Sequence, residues 1–163
     1  MIRLCLILIS CLLLALPVFA DEASGVVSWI YDGDSLKVDK IGKVRLLGID
    51  TPESKASGRD HYYTSRYNLA PGMLRQIAYQ AKKFNIDQVK GKRVTLVFEQ
   101  QKQDKYQRKL AYLYLPDGRM LNLLLLQKGL ASTFRKYRFG EKEKFLAAEQ
   151  SAREKKLGLW QNE

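Results

Sequence analysis

The 163-residue chain sets 28 Lys+Arg against 17 Asp+Glu, a net charge of +11, and holds 2 cysteines and 1 histidine. A basic excess of this size draws polyanions, nucleic acid first among them, although anionic membranes and glycans answer to the same field. Cys5 and Cys11 both lie near the N-terminus and His61 is the sole imidazole, so the rest of the chain has no thiol nucleophile, no disulfide and neither a His/Cys metal set nor a triad.

Residues 1–20 read as a signal peptide. Met1-Ile2-Arg3 gives a short positive start, Leu4 to Leu16 is almost wholly apolar, and Pro17-Val18-Phe19-Ala20 ends in small residues ahead of Asp21-Glu22. The apolar run falls short of the ~20 residues of a membrane span. A retained anchor is the alternative, and the lipoprotein-like Leu8-Ile9-Ser10-Cys11 ranks below it. Cleavage would leave 21–163 as a single exported domain, periplasmic or secreted, with 27 basic residues against 17 acidic ones, a net of +10. Such a domain depends on its core alone for stability.

Ser24 to Tyr31 is β-branched and aromatic and reads as a first strand. Asp32-Gly33 is a hairpin turn in which glycine supplies the positive φ. Ser35 to Asp39 alternates as a second strand, and Lys43 to Ile49 forms a third that carries Arg45 on the face opposite Val44 and Leu46. Residues 54–72 show no clear period and read as a long loop. Met73 to about Asn85 is amphipathic, with Leu74, Ile77, Ala78, Ala81 and Phe84 on one stripe.

Lys92 to Phe98 is a fourth strand, Glu99 to Lys109 a polar exposed loop, and Leu110 to Leu115 a fifth strand stopped by Pro116-Asp117-Gly118. Asn122 is placed to cap a short buried helix that ends at Gly129, and Glu141 to Lys156 forms the last helix, stopped by Gly158. Five strands with about three helices suit an OB-type barrel among several α+β options.

Three segments hold the chemistry-bearing residue types. Tyr31-Asp32-Gly33-Asp34-Ser35 places two carboxylates in a turn, and Val44 to Glu53 runs an arginine-bearing strand into Asp50-Thr51-Pro52-Glu53. Asp104-Lys105-Tyr106-Gln107-Arg108 adds a second arginine. Carboxylates suit a hard divalent cation, and paired guanidiniums suit a phosphate. Each segment alone is also ordinary turn, helix-start or loop vocabulary, but the acids end strands that neighbour one another in a meander.

These blocks, with Leu110-Ala111-Tyr112, Leu121-Asn122, Lys128-Gly129-Leu130-Ala131, Ala152-Arg153 and Leu157-Gly158-Leu159-Trp160 in order, resemble the signature of the thermonuclease (staphylococcal nuclease) family across essentially all of 21–163. The resemblance implies one Ca²⁺ held by Asp34, Asp50 and the Thr51 carbonyl, with Asp32 steadying the turn or a bound water. It implies Glu53 as the base acting on water, and Arg45 and Arg108 on the scissile phosphate. Lys105, Tyr106 and Tyr137 match positions that contact the neighbouring phosphate or pack on a base. The implied reaction is hydrolysis of DNA and RNA, single strands preferred, to 3′-phosphate ends. The sequence is silent on oligomeric state, and nothing in it suggests more than a monomer.

Gln107 stands where the family has glycine, so the loop carrying Arg108 is expected to turn differently. Arg135 replaces an aromatic and is expected to exchange stacking for phosphate contact, while the 57–72 segment departs from the family. The alternative reading is a non-catalytic OB module that binds single-stranded nucleic acid or other polyanions. Against it, acids beside the arginines repel phosphate unless a cation sits among them.

Overall fold

In the computed structural model, which describes residues 21–162, the antiparallel meander spans β1 (Asp21–Ile30), β2 (Ser35–Val38) and β3 (Gly42–Leu46). The expected signal peptide, with both cysteines, lies outside the described residues. β5 (Arg93–Gln103) pairs with β1 and β6 (Lys109–Tyr114), and β6 runs parallel to β3, closing a barrel in the order β1-β2-β3-β6-β5. Closure leaves no free sheet edge in this barrel. Period-2 alternation sends Val27, Leu36, Val38, Val44, Leu46, Leu96, Ala111 and Leu113 into its interior, all fully buried. This is the expected OB-type barrel, with four α-helices in place of about three.

The third strand is shorter than its apolar run. It breaks at Leu47-Gly48, where Gly48 sits at φ +79°, and the chain re-pairs as a two-residue strand β4 (Ile49–Asp50) against β7 (Ser132–Thr133). That ribbon stands outside the barrel. Asn122 holds the break in place. It lies inside α3 (Leu121–Gln127) and is not its cap; its side chain accepts from the Leu113 N–H at 3.0 Å and donates to the Leu47 carbonyl at 2.9 Å. The helix ends as expected at Gly129, in a Schellman pattern: Leu130 N–H to Leu125 O and Gly129 N–H to Leu126 O, both 2.9 Å.

The segment expected to be a loop contains α1 (Asp60–Tyr67), and α2 starts earlier and ends later than its stripe, at Pro71–Val89. Tyr63 and Tyr67, four apart, are both buried, and Tyr67 packs edge-on against the buried Trp160 with ring centres 4.5 Å apart. A helical pair of this kind is ordered by tertiary packing more than by propensity. Likewise the polar run after Phe98 continues β5 to Gln103, leaving only 104–108 as the connecting loop. The last helix, α4 (Lys142–Glu154), is stopped by Lys156 at φ +50°, two residues before the expected Gly158. Among the described residues no helix is long and apolar enough to cross a membrane.

Candidate active site

Asp34 occupies the turn between β1 and β2, a turn whose backbone passes unusually close to the start of the next segment. A Cβ on Gly33 would stand 2.7 Å from the Thr51 hydroxyl and 2.8 Å from the Ala81 methyl. Glycine is therefore required here for space, whereas a positive φ was expected to be the reason. Asp32 accepts the Asp34 N–H at 3.0 Å and Asn85 donates to the Gly33 carbonyl at 2.8 Å, so the turn is held from both sides.

The two carboxylates expected to bind metal do converge. Arg45, opposite Ser35 in the β2–β3 register, donates to Asp34 Oδ1 at 2.6 Å and to Asp50 Oδ1 at 3.0 Å. Both aspartates are buried. The β4–β7 pairing turns Asp50 toward Arg45, because it sets Asp50 opposite Ser132 and fixes the chain beyond Gly48.

Arg108 reaches the same patch from the far half of the chain. Its Nε is held by Asp104 at 2.7 Å and its Nη2 at 2.6 Å, which leaves Nη1 directed at the Ser35 hydroxyl, 3.4 Å away. Ser35 in turn donates to Asp34 Oδ1 at 2.9 Å. One hydrogen-bonded chain thus links Arg108, Ser35, Asp34 and Arg45. Gln107, just before Arg108, takes φ +62°, the left-handed conformation that glycine adopts without penalty. The departure from glycine costs about 1 kcal/mol of backbone strain.

The remaining expected residues differ in exposure. Thr51 is buried and its N–H approaches Asp34 Oδ2 at 3.4 Å. Glu53 is exposed, with no hydrogen bond or ion pair among the described residues. Tyr106, 67% exposed, lies under the Lys105 ammonium at 5.0 Å and the Arg108 guanidinium at 5.4 Å. Tyr137, 61% exposed, packs on Phe134, whose N–H bonds to the Gly48 carbonyl at 2.8 Å and so ties that loop to the site. Arg135 donates to Glu149 Oε1 at 2.7 Å, so its guanidinium is engaged by a buried acid.

Sequence reading names Arg59 and Tyr63 among residues of the 57–72 segment that could shape substrate access, with a solvated loop as the alternative, but it does not reach their contact with Asp50. Arg59 and the buried Tyr63, from the segment ahead of and within α1, both donate to Asp50 Oδ2. The available hint was Ser57-x-x-Asp60, a helix-start pattern, followed by tyrosines four apart.

The electrostatics of the cluster are unbalanced. Burial pushes the Asp34 carboxyl up to about 7, and the nearby Asp32 and Asp50 charges add to this, while Arg45 and the Ser35 hydroxyl only partly offset it. Arg45 itself is held above its usual range, because Asp34 and Asp50 outweigh its own desolvation. Among the described residues no three acids, histidines or cysteines gather into a ready metal cage. Two carboxylates and a backbone carbonyl nonetheless fit a hard cation that takes water for the rest of its shell, and Asp34 is short of positive charge.

Residues 43–162 match the family model described as staphylococcal nuclease homologue. The chain is 37% identical over 149 residues to an uncharacterised protein of Methanocaldococcus jannaschii, covering 83% of this chain and 70% of the relative. It is 32% identical over 143 residues to the thermonuclease of Staphylococcus intermedius, covering 85% and 76%. An uncharacterised endonuclease of Escherichia coli O157:H7 is 30% identical over 148 residues, covering 88% and 81%. With a family match over most of its length and relatives of this identity aligned along most of theirs, the chain belongs to the staphylococcal nuclease family.

Proposed function

We propose that the protein is a Ca²⁺-dependent nuclease that hydrolyses DNA and RNA, preferring single strands, and leaves 3′-phosphate ends. The observation that carries this reading is the hydrogen-bonded chain from Arg108 through Ser35 and Asp34 to Arg45, which joins guanidiniums from opposite halves of the sequence beside two buried acids. Nuclease names among the relatives point the same way.

Asp34, Asp50 and the Thr51 carbonyl would hold the ion, which when bound supplies positive charge against the phosphate and the attacking water. The non-bridging phosphate oxygens gain charge as the reaction proceeds, and Arg45 and Arg108, fixed by their own acids, meet that charge without reorganising. Glu53, open to solvent and without a partner among the described residues, accepts the proton of the attacking water. The new bond joins water oxygen to phosphorus, the bond to the 5′-oxygen breaks, and that oxygen takes a proton from solvent. Lys105, Tyr106 and Tyr137 receive the adjoining phosphate and base, since stacking on tyrosine reads single strands with little sequence preference. The reading includes removal of residues 1–20 on export and a monomeric 21–163.

Digestion of a single-stranded oligonucleotide with Ca²⁺, and again with a chelator, tests this directly. Chelator-sensitive cleavage to 3′-phosphate ends is expected. Binding that ignores the chelator, with no cleavage, would leave the non-catalytic OB module instead, and equal cleavage with Mg²⁺ would remove the Ca²⁺ assignment alone. N-terminal sequencing of the exported protein should begin at Asp21.

A further inference from the structure

The outer face of β1, β2 and β3 continues the arginine site away from the acids. Leu36, Val38 and Val44 point into the barrel, so Ser35, Lys37, Lys43 and Arg45 share the opposite face. The register sets Ser35 opposite Arg45, Lys37 opposite Lys43 and Trp29 opposite Lys37. The Tyr31 N–H bonds to the Ser35 carbonyl at 2.9 Å, which aligns Tyr31 with Ser35. Two cross-strand rows result, Tyr31–Ser35–Arg45 and Trp29–Lys37–Lys43, about 7 Å apart by the rise of two strand residues.

Both aromatic members face solvent, Trp29 at 53% and Tyr31 at 39% exposure. Each lies against an ammonium: Lys43 is 4.5 Å from the Tyr31 ring centre and Lys90 is 5.5 Å from that of Trp29. No acid pairs with Lys37, Lys43 or Lys90 among the described residues. A single exposed aromatic needs no explanation. Here two of them, interleaved with lysines free of acid partners, extend in register from the residue that grips the scissile phosphate.

We propose that this face is an accessory track for single-stranded nucleic acid, on which nucleotides next to the scissile phosphate stack on Tyr31 and Trp29 while their phosphates meet Lys37 and Lys43. The proposal rests on the nuclease reading, because Arg45 sets where the strand enters. Stacking platforms beside lysines are the general means of holding single strands without sequence preference.

Intrinsic fluorescence reads the track without catalysis. Of the 2 tryptophans, Trp160 is fully buried, so Trp29 is the accessible reporter. An oligo-dT twelve-mer in chelator should quench it saturably. Lys37→Gln with Lys43→Gln should weaken that binding about tenfold and lower the log–log salt slope by about 1.4, two phosphate contacts at ~0.7 each. With Ca²⁺, the same variant and Trp29→Ala should each lower the ratio of kcat/KM for the twelve-mer to that for a dinucleotide about tenfold. An unquenched Trp29 and an unchanged ratio, with cleavage intact, overturn the track and leave the nuclease reading standing. Quenching without cleavage supports the track and removes that reading. Equal quenching by heparin overturns the assignment to bases.

Discussion

Of the three buried acids that meet arginines among the described residues, Glu149 and Asp34 do so with opposite results. Glu149, on α4, is 1% exposed and accepts the Thr133 N–H at 2.7 Å, Arg135 at 2.7 Å and Arg153 at 3.0 Å. Burial pushes its carboxyl up, but Arg135 and the Thr133 N–H outweigh burial and hold it below the usual range. Asp34 has Arg45 and the Ser35 hydroxyl, two neighbouring acids, and a carboxyl raised to about 7. Glu149 is a completed structural joint between α4 and β7. Asp34 is left short of counter-charge, and such shortfalls gather where ligands bind.

The largest effect that tests this contrast is on turnover. Arg108→Lys keeps the charge but loses the fork, so kcat/KM should fall on the order of 10²-fold, about 3 kcal/mol. The denaturation midpoint should stay put, because Arg108 joins a solvent-facing loop and not the core. Near-normal turnover would take Arg108 out of the site. Glu149→Gln should do the reverse, lowering stability by about 2 kcal/mol in urea, as expected for losing charged hydrogen bonds at a buried acceptor, with kcat/KM unchanged once the variant is folded. Asp34→Asn completes the pair: it should abolish cleavage yet raise the chelated protein's urea midpoint at pH 8, since it removes a buried charge that Arg45 and Ser35 only partly offset.

The pH profiles should slope in opposite directions. Asp34 has a folded value raised from 3.8 to about 7, so its contribution to stability is fully present below about pH 4 and is lost as pH rises through 7. Glu149 is depressed below 4.5, so its contribution is present above that pH and is lost as pH falls through its folded value. In chelator, melting temperature should therefore decline from pH 4 to 7, and Asp34→Asn should flatten that decline. Ca²⁺ should flatten it as well. A wild-type decline that survives Asp34→Asn would show that another group carries it.

The contrast also marks what sequence reading reaches. The β1–β2–β3 meander is legible because alternation writes it locally, and the turn acids and strand arginine come with it. The β4–β7 ribbon is not legible: Ile49-Asp50 and Ser132-Thr133 are two residues each, 82 apart, with no period of their own. Yet that ribbon orients Asp50. Arg135 reads as a free cation until Glu149, fourteen residues on, is seen to face it. Polar Glu99–Gln103 hides its strand because no apolar alternation marks it; it rejoins β6 only at Gln103 opposite Lys109, beyond a register shift. Tyr63 and Tyr67 hide α1 because what they pack against lies outside the segment, Asp50 beyond the preceding turn and Trp160 far away in sequence.

Arg59 gives the smallest effect and the sharpest reading of the contrast. It does for Asp50 what Arg153 does for Glu149, but from an exposed position, its side chain 45% accessible. A half-exposed pair of this kind is worth at most about 1 kcal/mol. It also stands on the carboxylate oxygen that a bound cation would need. Ion binding must then displace the guanidinium, and Arg59→Gln should tighten metal affinity by about three- to tenfold. Terbium luminescence excited through Tyr63, whose hydroxyl shares that same oxygen, measures this without any turnover. Weaker terbium binding by Arg59→Gln would mean that Arg59 organises the acid for the ion instead of competing with it, which would set Asp50 apart from Glu149 as a ligand and not a joint.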